Sequence, residues 1–482
     1  MLILFFMIQI QNVLTIFLLA FILFTGCEKK QEPFDFLIVC EGDIVTDPGF
    51  SQGAAWADYD NDGDEDLFVT NSWTNGNNLF YRNNNDGTFL KIDNINIAGD
   101  GGNSNGCTWG DVDNDGDVDL FVANVNDQNN FFYLNNGDGT FTKNTRSSAA
   151  TDGGWSYTCA WADYNNDGWL DLFVGNYNEQ NNFLYKNDGS GNLVKDQTTV
   201  ITKTTNSTQG CAWFDFNNDG WIDLYVANKE KNELYKNLGH GRFEKVEGIP
   251  PVTDFGNSFG CSAADFNNDG LTDLFVTTWW GENFLYKNLG DGNFMNLKDS
   301  PVTKESLNSE GSGWGDFDND GDLDLFVTND GNNSIFENSD GNFIKLDQLT
   351  PANDSSNSNG MTWNDYNSDG SLDIFIANGG NQPNLLYRNP ENKNHWLKIK
   401  CTGGKSNRSG IGAKITVYQK SIKQYREVSG QTGGGYGAQN GLFIHFGLGN
   451  EMIDSLTVRW PSGLKSKILK PEIKQLLLIN ED

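Results

Sequence analysis

The stretch Asp58-Tyr59-Asp60-Asn61-Asp62-Gly63-Asp64-Glu65-Asp66, followed by Leu67, recurs six more times in this chain, starting at Asp111, Asp163, Asp215, Asp265, Asp316 and Asp365. Successive copies are spaced by 53, 52, 52, 50, 51 and 49 residues. Such regularity means one supersecondary unit copied along the chain, each copy burying its apolar face only by stacking on its neighbours. Within a copy, oxygen-bearing side chains stand at positions 1, 3, 5 and 9, with a glycine at 6 for a sharp turn. This spacing suits a hard cation that takes six or more oxygens, with position 7 contributing its backbone carbonyl.

The candidate calcium ligands, numbered by repeat, follow from that spacing. Repeats 1 and 2 supply Asp58, Asp60, Asp62, Asp64, Asp66 and Asp111, Asp113, Asp115, Asp117, Asp119. Repeats 3 and 4 supply Asp163, Asn165, Asp167, Trp169, Asp171 and Asp215, Asn217, Asp219, Trp221, Asp223. Repeats 5, 6 and 7 supply Asp265, Asn267, Asp269, Leu271, Asp273; Asp316, Asp318, Asp320, Asp322, Asp324; and Asp365, Asn367, Asp369, Ser371, Asp373. The mixture at position 7 fits a carbonyl ligand. An EF-hand is excluded, because it needs a bidentate Glu at position 12, where this chain has Val69, Val122, Val174, Val226, Val276, Val327 and Ile376. A metal-free polar turn would leave several like charges repelling on one tight bend. Up to seven calcium ions are therefore expected.

Repeat 3 shows the unit around each loop. Thr158-Cys159-Ala160-Trp161-Ala162 alternates as a strand packed on both faces. Leu172–Asn176 and Asn182–Asn187 read as the second and third strands, and a glycine-rich turn leads to a fourth near Leu193. Four short antiparallel strands in about 50 residues make a propeller blade. The expected fold is thus all-β: a seven-bladed β-propeller followed by a small β-rich C-terminal domain. Trp56, Trp109, Trp161, Trp213, Trp314 and Trp363 precede the loops by two residues, with Ala263 in the remaining repeat. A tryptophan repeated in this way belongs to the core.

From the fourth-strand residue to the next tryptophan site is 20 residues throughout, as from Phe89 to Trp109, and Phe36 to Trp56 repeats the interval. No fourth strand follows Tyr387. The segment Phe34 to Val39 is therefore expected to supply the outer strand of the last blade and close the ring.

Residues 1–26 are almost wholly apolar and lead into Gly26-Cys27-Glu28-Lys29-Lys30. They resemble a bacterial lipoprotein signal peptide, which implies lipidation at Cys27 and an exported, envelope-bound body. An uncleaved membrane anchor is the other reading. Residues 27–33 then form a tether, 34–392 the propeller and 393–482 the last domain. Cys107, Cys159, Cys211 and Cys261 occupy one site in successive repeats. Equivalent points on packed sheets lie about 10 Å apart, too far for a disulfide, so these read as small core residues. Cys40 and Cys401 are left as a conceivable pair. With 33 basic against 65 acidic residues and a formal charge of -32, nucleic acid is excluded as a partner.

The motif D-x-[DN]-x-D-G-x-x-D-[LI] after a tryptophan resembles the FG-GAP or VCBS repeats of integrin-type β-propellers. That resemblance implies calcium between the first two strands of each blade and leaves activity open. Asn394-His395-Trp396-Leu397, Arg408-Ser409-Gly410-Ile411-Gly412, Phe446-Gly447-Leu448-Gly449 and Val458-Arg459-Trp460-Pro461 resemble the ASPIC and UnbV domain of the cartilage acidic protein family and its bacterial relatives.

The three histidines, His240, His395 and His445, stand in no metal-ligand or nucleophile spacing. The expected function is a calcium-stabilised, lipid-anchored binding or adhesion protein, without catalysis, recognising glycan or protein through loops between second and third strands. Trp73, Trp279 and Trp280 lie in those loops and can stack on a ligand. The alternative is an exported polysaccharide hydrolase that uses carboxylates outside the calcium loops.

Overall fold

Each acidic loop joins two antiparallel strands that open a four-stranded sheet. In repeat 1 the strands are Ser51–Ala57, Asp66–Asn71, Leu79–Asn83 and Phe89–Lys91, paired in sequence order. Trp56 pairs with Leu67, Phe68 with Phe80 and Arg82 with Leu90. The same order returns at the other loops. In repeat 7 the fourth place is taken by Leu37–Ile38, which pairs Leu37 with Arg388 and Ile38 with Tyr387. The early segment thus supplies the strand that the spacing had assigned to it.

This computed structural model describes residues 34–73, 75–430 and 437–482. Phe36–Asp482 form one compact unit. The leader and Cys27 lie outside the described residues. No helix among the described residues is long and apolar enough to cross a membrane. Cys40, exposed, and Cys401, buried, are both free, so the conceivable disulfide is not made. The four repeat cysteines are buried and free.

Between one sheet and the next the chain makes a single helical turn, at Asp43–Thr46, Asn96–Gly99, Ser148–Thr151 and Pro250–Thr253, or a 3-10 turn, as at Val200–Lys203. Each turn buries an apolar plug such as Ile44, Ile97 or Val252. Four residues are too few to show a helical period, so the sequence reading missed them.

The third-strand asparagine, which ends Leu-Tyr-x-Asn in repeats 3, 4, 5 and 7, Phe-Tyr-x-Asn in repeats 1 and 2 and Ile-Phe-x-Asn in repeat 6, brackets two repeats. The Asn135 backbone N–H donates to Asp119 Oδ1 (2.8 Å), and its side-chain amide donates to the Tyr59 carbonyl of the preceding repeat (2.7 Å). Asn187, Asn237, Asn288, Asn338 and Asn389 repeat the inter-repeat bond. Asn83 makes it to Tyr366, in repeat 7.

The C-terminal part holds two sheets. Lys423–Glu427, Lys414–Tyr418, Ser455–Arg459 and Lys465–Leu469 form an antiparallel one, while Phe443–Gly449, His395–Thr402 and Leu476–Asn480 form a mixed one. Its apolar residues join those of repeat 3 in one core. Gln439 enters between the first strands: its backbone N–H donates to the Ala54 carbonyl (2.8 Å), and its side-chain oxygen accepts from the Trp109 backbone N–H (2.6 Å).

Candidate functional site

The acidic loops are built alike. The position-7 N–H donates to Oδ1 of position 5 in all seven, from Asp64 to Asp62 (3.2 Å) through Ser371 to Asp369 (3.0 Å). The glycine N–H donates to the first aspartate in repeats 1 to 6, as from Gly116 to Asp111 (2.9 Å) and Gly220 to Asp215 (2.8 Å), whereas both carboxylate oxygens of Asp365 in repeat 7 have no hydrogen-bond partner. These glycines have φ between 88° and 109° in repeats 2, 6 and 7, where an L side chain is strained. Position 9 is a bracket: Asp119 takes the Val112 and Asn135 N–H groups on its two oxygens.

Burial, followed by the fields of neighbouring acids, drives these carboxyls upward. Asp111 is pushed to about 7 and Asp64 to about 6. For Asp66 and Asp273 burial, with the charges of neighbouring acids, outweighs the bonds they accept, and they reach about 9. Such groups gain most from a cation or a proton. Three loops bring three carboxylate oxygens within 4.8 Å of one another: Asp58, Asp60 and Asp62; Asp111, Asp113 and Asp115; Asp316, Asp318 and Asp320. Buried Oδ1 atoms of Asp60, Asp64 and Asp113 have no hydrogen-bond partner. An all-oxygen donor set with unused acceptors fits a hard cation.

The C-terminal part packs directly on this loop face, which the sequence did not disclose. Lys398 Nζ lies 3.0 Å from Asp365 and Lys414 Nζ 2.5 Å from Asp215, with Lys400 and Arg408 at 3.6 and 3.9 Å from Asp58 and Asp111. All four carboxylates belong to position 1. A Cβ on the loop glycines would meet Arg408 at Gly116, Lys405 at Gly168, Arg459 at Gly220, Lys423 at Gly270, Gln424 at Gly321 and Trp396 at Gly370. The glycine therefore serves docking as well as the turn. His445, held neutral by burial and then by the charges of Lys398 and Arg426, stacks near Trp396 and bonds Asn319 (2.6 Å). Ala263, the one departure from tryptophan, borders a cavity of about 130 Å³ between Trp213, Trp314 and the C-terminal residues Arg426 and His445.

Antiparallel order puts the second-to-third-strand loops on the opposite face. There a depression of about 410 Å³ is lined by Phe50, Gln52, Trp73, Tyr157, Phe259, Trp279, Glu310, Asp330 and Asn359, among others. Two of the three tryptophans singled out in the sequence, Trp73 and Trp279, thus line one depression. Trp280 stands outside the lining, 79% exposed and 6.2 Å from Trp279 between ring centres. Trp279 stacks on Phe259 at 5.0 Å. Glu310, buried, is pushed up to about 8 by desolvation and then by the charge of Asp330.

Gln52, Tyr157, Phe259, Glu310 and Asn359 all stand four residues before the tryptophan site. A column of unlike residues inside so regular a repeat was the available signal for this depression.

Trp73 and Trp280 each stand seven residues after the position-9 aspartate. Both have φ 67°, and Trp73 is 60% exposed. The same place holds Asn126, Asn178, Gly331 and Gly380 in other repeats, also at positive φ. Asparagine and glycine adopt that conformation readily, whereas for tryptophan it costs about 1–2 kcal/mol.

The profile of the FG-GAP-like repeat family matches residues 58–122, 111–174, 163–226, 215–276, 265–327 and 316–376. The chain belongs to the FG-GAP-like repeat family. The ASPIC and UnbV profile matches residues 403–482, so the part packed on the loops of these FG-GAP-like repeats carries that domain. No curated protein matches significantly. Among solved structures, the chain is similar to an Agrocybe aegerita lectin described as recognising non-reducing terminal N-acetylglucosamine, with 16% identity, 73% of this chain and 92% of that one covered, and a TM-score of 0.45. It is also similar to BBS1N in a complex with ARL6DN, with 10% identity, 74% and 97% covered, and a TM-score of 0.47.

Proposed function

We propose that the repeats form a closed seven-bladed propeller, stabilised by calcium, that acts as a non-enzymatic receptor for a glycan through the depression on the face opposite the acidic loops. The observation that carries the reading is Trp73 in the lining of that depression, with Trp280 outside it but 6.2 Å from the lining residue Trp279 between ring centres. Trp73 and Trp280 are exposed, and each keeps a strained backbone where sister repeats use asparagine or glycine. Strain of this kind persists where a side chain is needed for contact, and an aromatic face beside amides and carboxyls suits a sugar ring with its hydroxyls.

Closure is supported by the Leu37–Arg388 pairing and the Asn83–Tyr366 bond. Calcium is supported by the clustered oxygens and unpartnered carboxylate atoms. Asp58, Asp60, Asp62 and their counterparts would hold it, and it would neutralise the loops and stiffen them. At calcium about 100 times Kd, each independent site adds ~2.7 kcal/mol. Export and lipidation at Cys27, which place the receptor on the cell envelope, rest on the leader sequence.

A second reading, hydrolysis of the bound glycan, is favoured by one observation: Glu310 keeps its proton near neutral pH in the depression that Asp330 also lines. A glycan array and a hydrolase screen in calcium test both. Binding that falls by about ten-fold in Trp73→Ala and in the pair Trp279→Ala with Trp280→Ala supports the receptor, and binding untouched by them sinks it. Turnover lost in Glu310→Gln establishes the second reading.

A further inference from the structure

Three of the residues that stand four places before the tryptophan site fasten one repeat to the next. Asn105, Gln209 and Asn359 each donate a side-chain amide N–H to the first strand of the following repeat, at the carbonyls of Tyr157 (3.1 Å), Ser258 (2.8 Å) and Ser51 (2.7 Å). The last of these joins repeat 7 to repeat 1. Glu310 occupies the same place in repeat 6 and has no side-chain N–H to give, so repeat 6 does not make this bond.

The carboxyl set there is poorly provided for. Glu310 is 5% exposed, and its side chain accepts no hydrogen bond from any described residue. It has lost hydration without gaining a donor, which is unfavourable for a buried polar group. The charge of Asp330 acts on it as well, and Glu310 in turn acts on the Tyr157 phenol. What the place lacks is a cation.

The protein does not supply one. Among the described residues that line the depression there is no lysine, arginine or histidine, whereas the rings of Phe50, Trp73, Tyr157, Phe259 and Trp279 all border it. Aromatic faces are electron-rich, so they attract an ammonium group. Two carboxyls among such rings repel sugars that carry carboxylate or sulfate. At about 410 Å³ the depression falls within the roughly 300–1,000 Å³ of pockets that receive small ligands.

We propose that the sugar received in this depression is an amino sugar whose free, protonated amine is held by Glu310 and Asp330. This rests on the receptor reading above and deepens it by naming the class of glycan. The sugar ring lies on the indole of Trp73 or Trp279, and the amides of Asn357 and Asn359 stand in the same lining for its hydroxyls. An ammonium brought beside Glu310 favours the carboxylate, so the side chain gives up its proton to solvent on binding and the two charges compensate each other. A glutamate that forgoes the bond between repeats is thereby accounted for, because only an acid at this place can hold the amine.

Three β-1,4-linked tetramers that differ only at carbon 2 test this: those of glucosamine, N-acetylglucosamine and glucose. Each is titrated calorimetrically into the full-length chain in calcium chloride at about pH 6, where a free amine is charged, with the glucuronate tetramer and tetralysine alongside. The glucosamine tetramer is expected to bind at least about ten-fold more tightly than the other two neutral-backbone tetramers, and glucuronate least of all. Glu310→Gln should bring that ratio to about one while raising the midpoint of urea unfolding, since glutamine can supply the missing N–H; Asp330→Asn, at an exposed residue, should lower the ratio in part. N-acetylglucosamine or glucose tetramers bound as tightly as glucosamine, or a preference unchanged in both variants, overturn amine recognition and leave the receptor reading standing. Tetralysine bound as tightly as the glucosamine tetramer overturns the assignment to a sugar. Binding of none of the tetramers overturns the proposal, and a blank glycan array besides takes the receptor reading with it.

Discussion

Asn83 donates its side-chain amide to the carbonyl of Tyr366, 2.8 Å away and 283 residues further along the chain, so the first repeat is fastened to the last by the same bond that joins neighbours elsewhere. The amide also reaches the Glu65 carbonyl at 3.2 Å. Asn83→Ala leaves buried carbonyls without a donor and is expected to destabilise the repeats by about 1–3 kcal/mol. The midpoint of urea unfolding checks this, and an unchanged midpoint refutes it.

Docking of the C-terminal part has its own test in a pair of glycines. Gly370 has φ 88°, and a Cβ there would lie 1.9 Å from Trp396 Nε1; Gly63 has φ 99° and nothing within 4 Å of the same atom. Gly63→Ala is expected to cost about 1–2 kcal/mol in backbone strain alone. Gly370→Ala adds a clash across the interface, and it should make the C-terminal part the more readily cut free by protease. Equal proteolysis of the two variants would show that the glycines serve only the turn.

Trp280→Asn tests whether stability has been given up for recognition. Asparagine fits φ 67° and stands at this place in repeats 2 and 3. The variant is expected to gain up to about 1 kcal/mol in thermal unfolding while losing glycan binding. A variant that is less stable would mean that the exposed indole packs where it stands.

Glu481 pins the end of the chain. It accepts the N–H groups of Gly404, Lys405 and Ser406 and the hydroxyls of Ser406 and Ser462. Burial raises its carboxyl, but the Ser462 hydroxyl and those N–H groups outweigh it and hold the group below its usual range. A lowered folded value means that this stabilisation is whole above the unfolded value and disappears as pH falls through the folded one. Glu481→Gln is expected to lose about 1.5–3 kcal/mol at neutral pH. Its stability should converge with that of the natural chain in acid; a gap that does not narrow refutes the assignment.

Much of the fold could be read locally. The loop spacing, the alternating strands beside each tryptophan and the 20-residue interval that assigned Phe36 to the last repeat are all short-range or periodic, and Leu37–Ile38 pairs where that interval put it. The bracket formed by Asn135 was visible as a motif but not as a bond, because its acceptor is a carbonyl 76 residues away.

Sequence alone determined the repeating unit, the acidic turn and the order of strands, since each depends on residues a few positions apart and recurs often enough to stand out. Tertiary structure alone decided which lysines face which aspartates, and which single members of a variable column gather Glu310, Phe259 and Trp73 around one depression. Those contacts join residues hundreds of positions apart, and they exist only once stacked sheets have brought the ends of their strands to a common face.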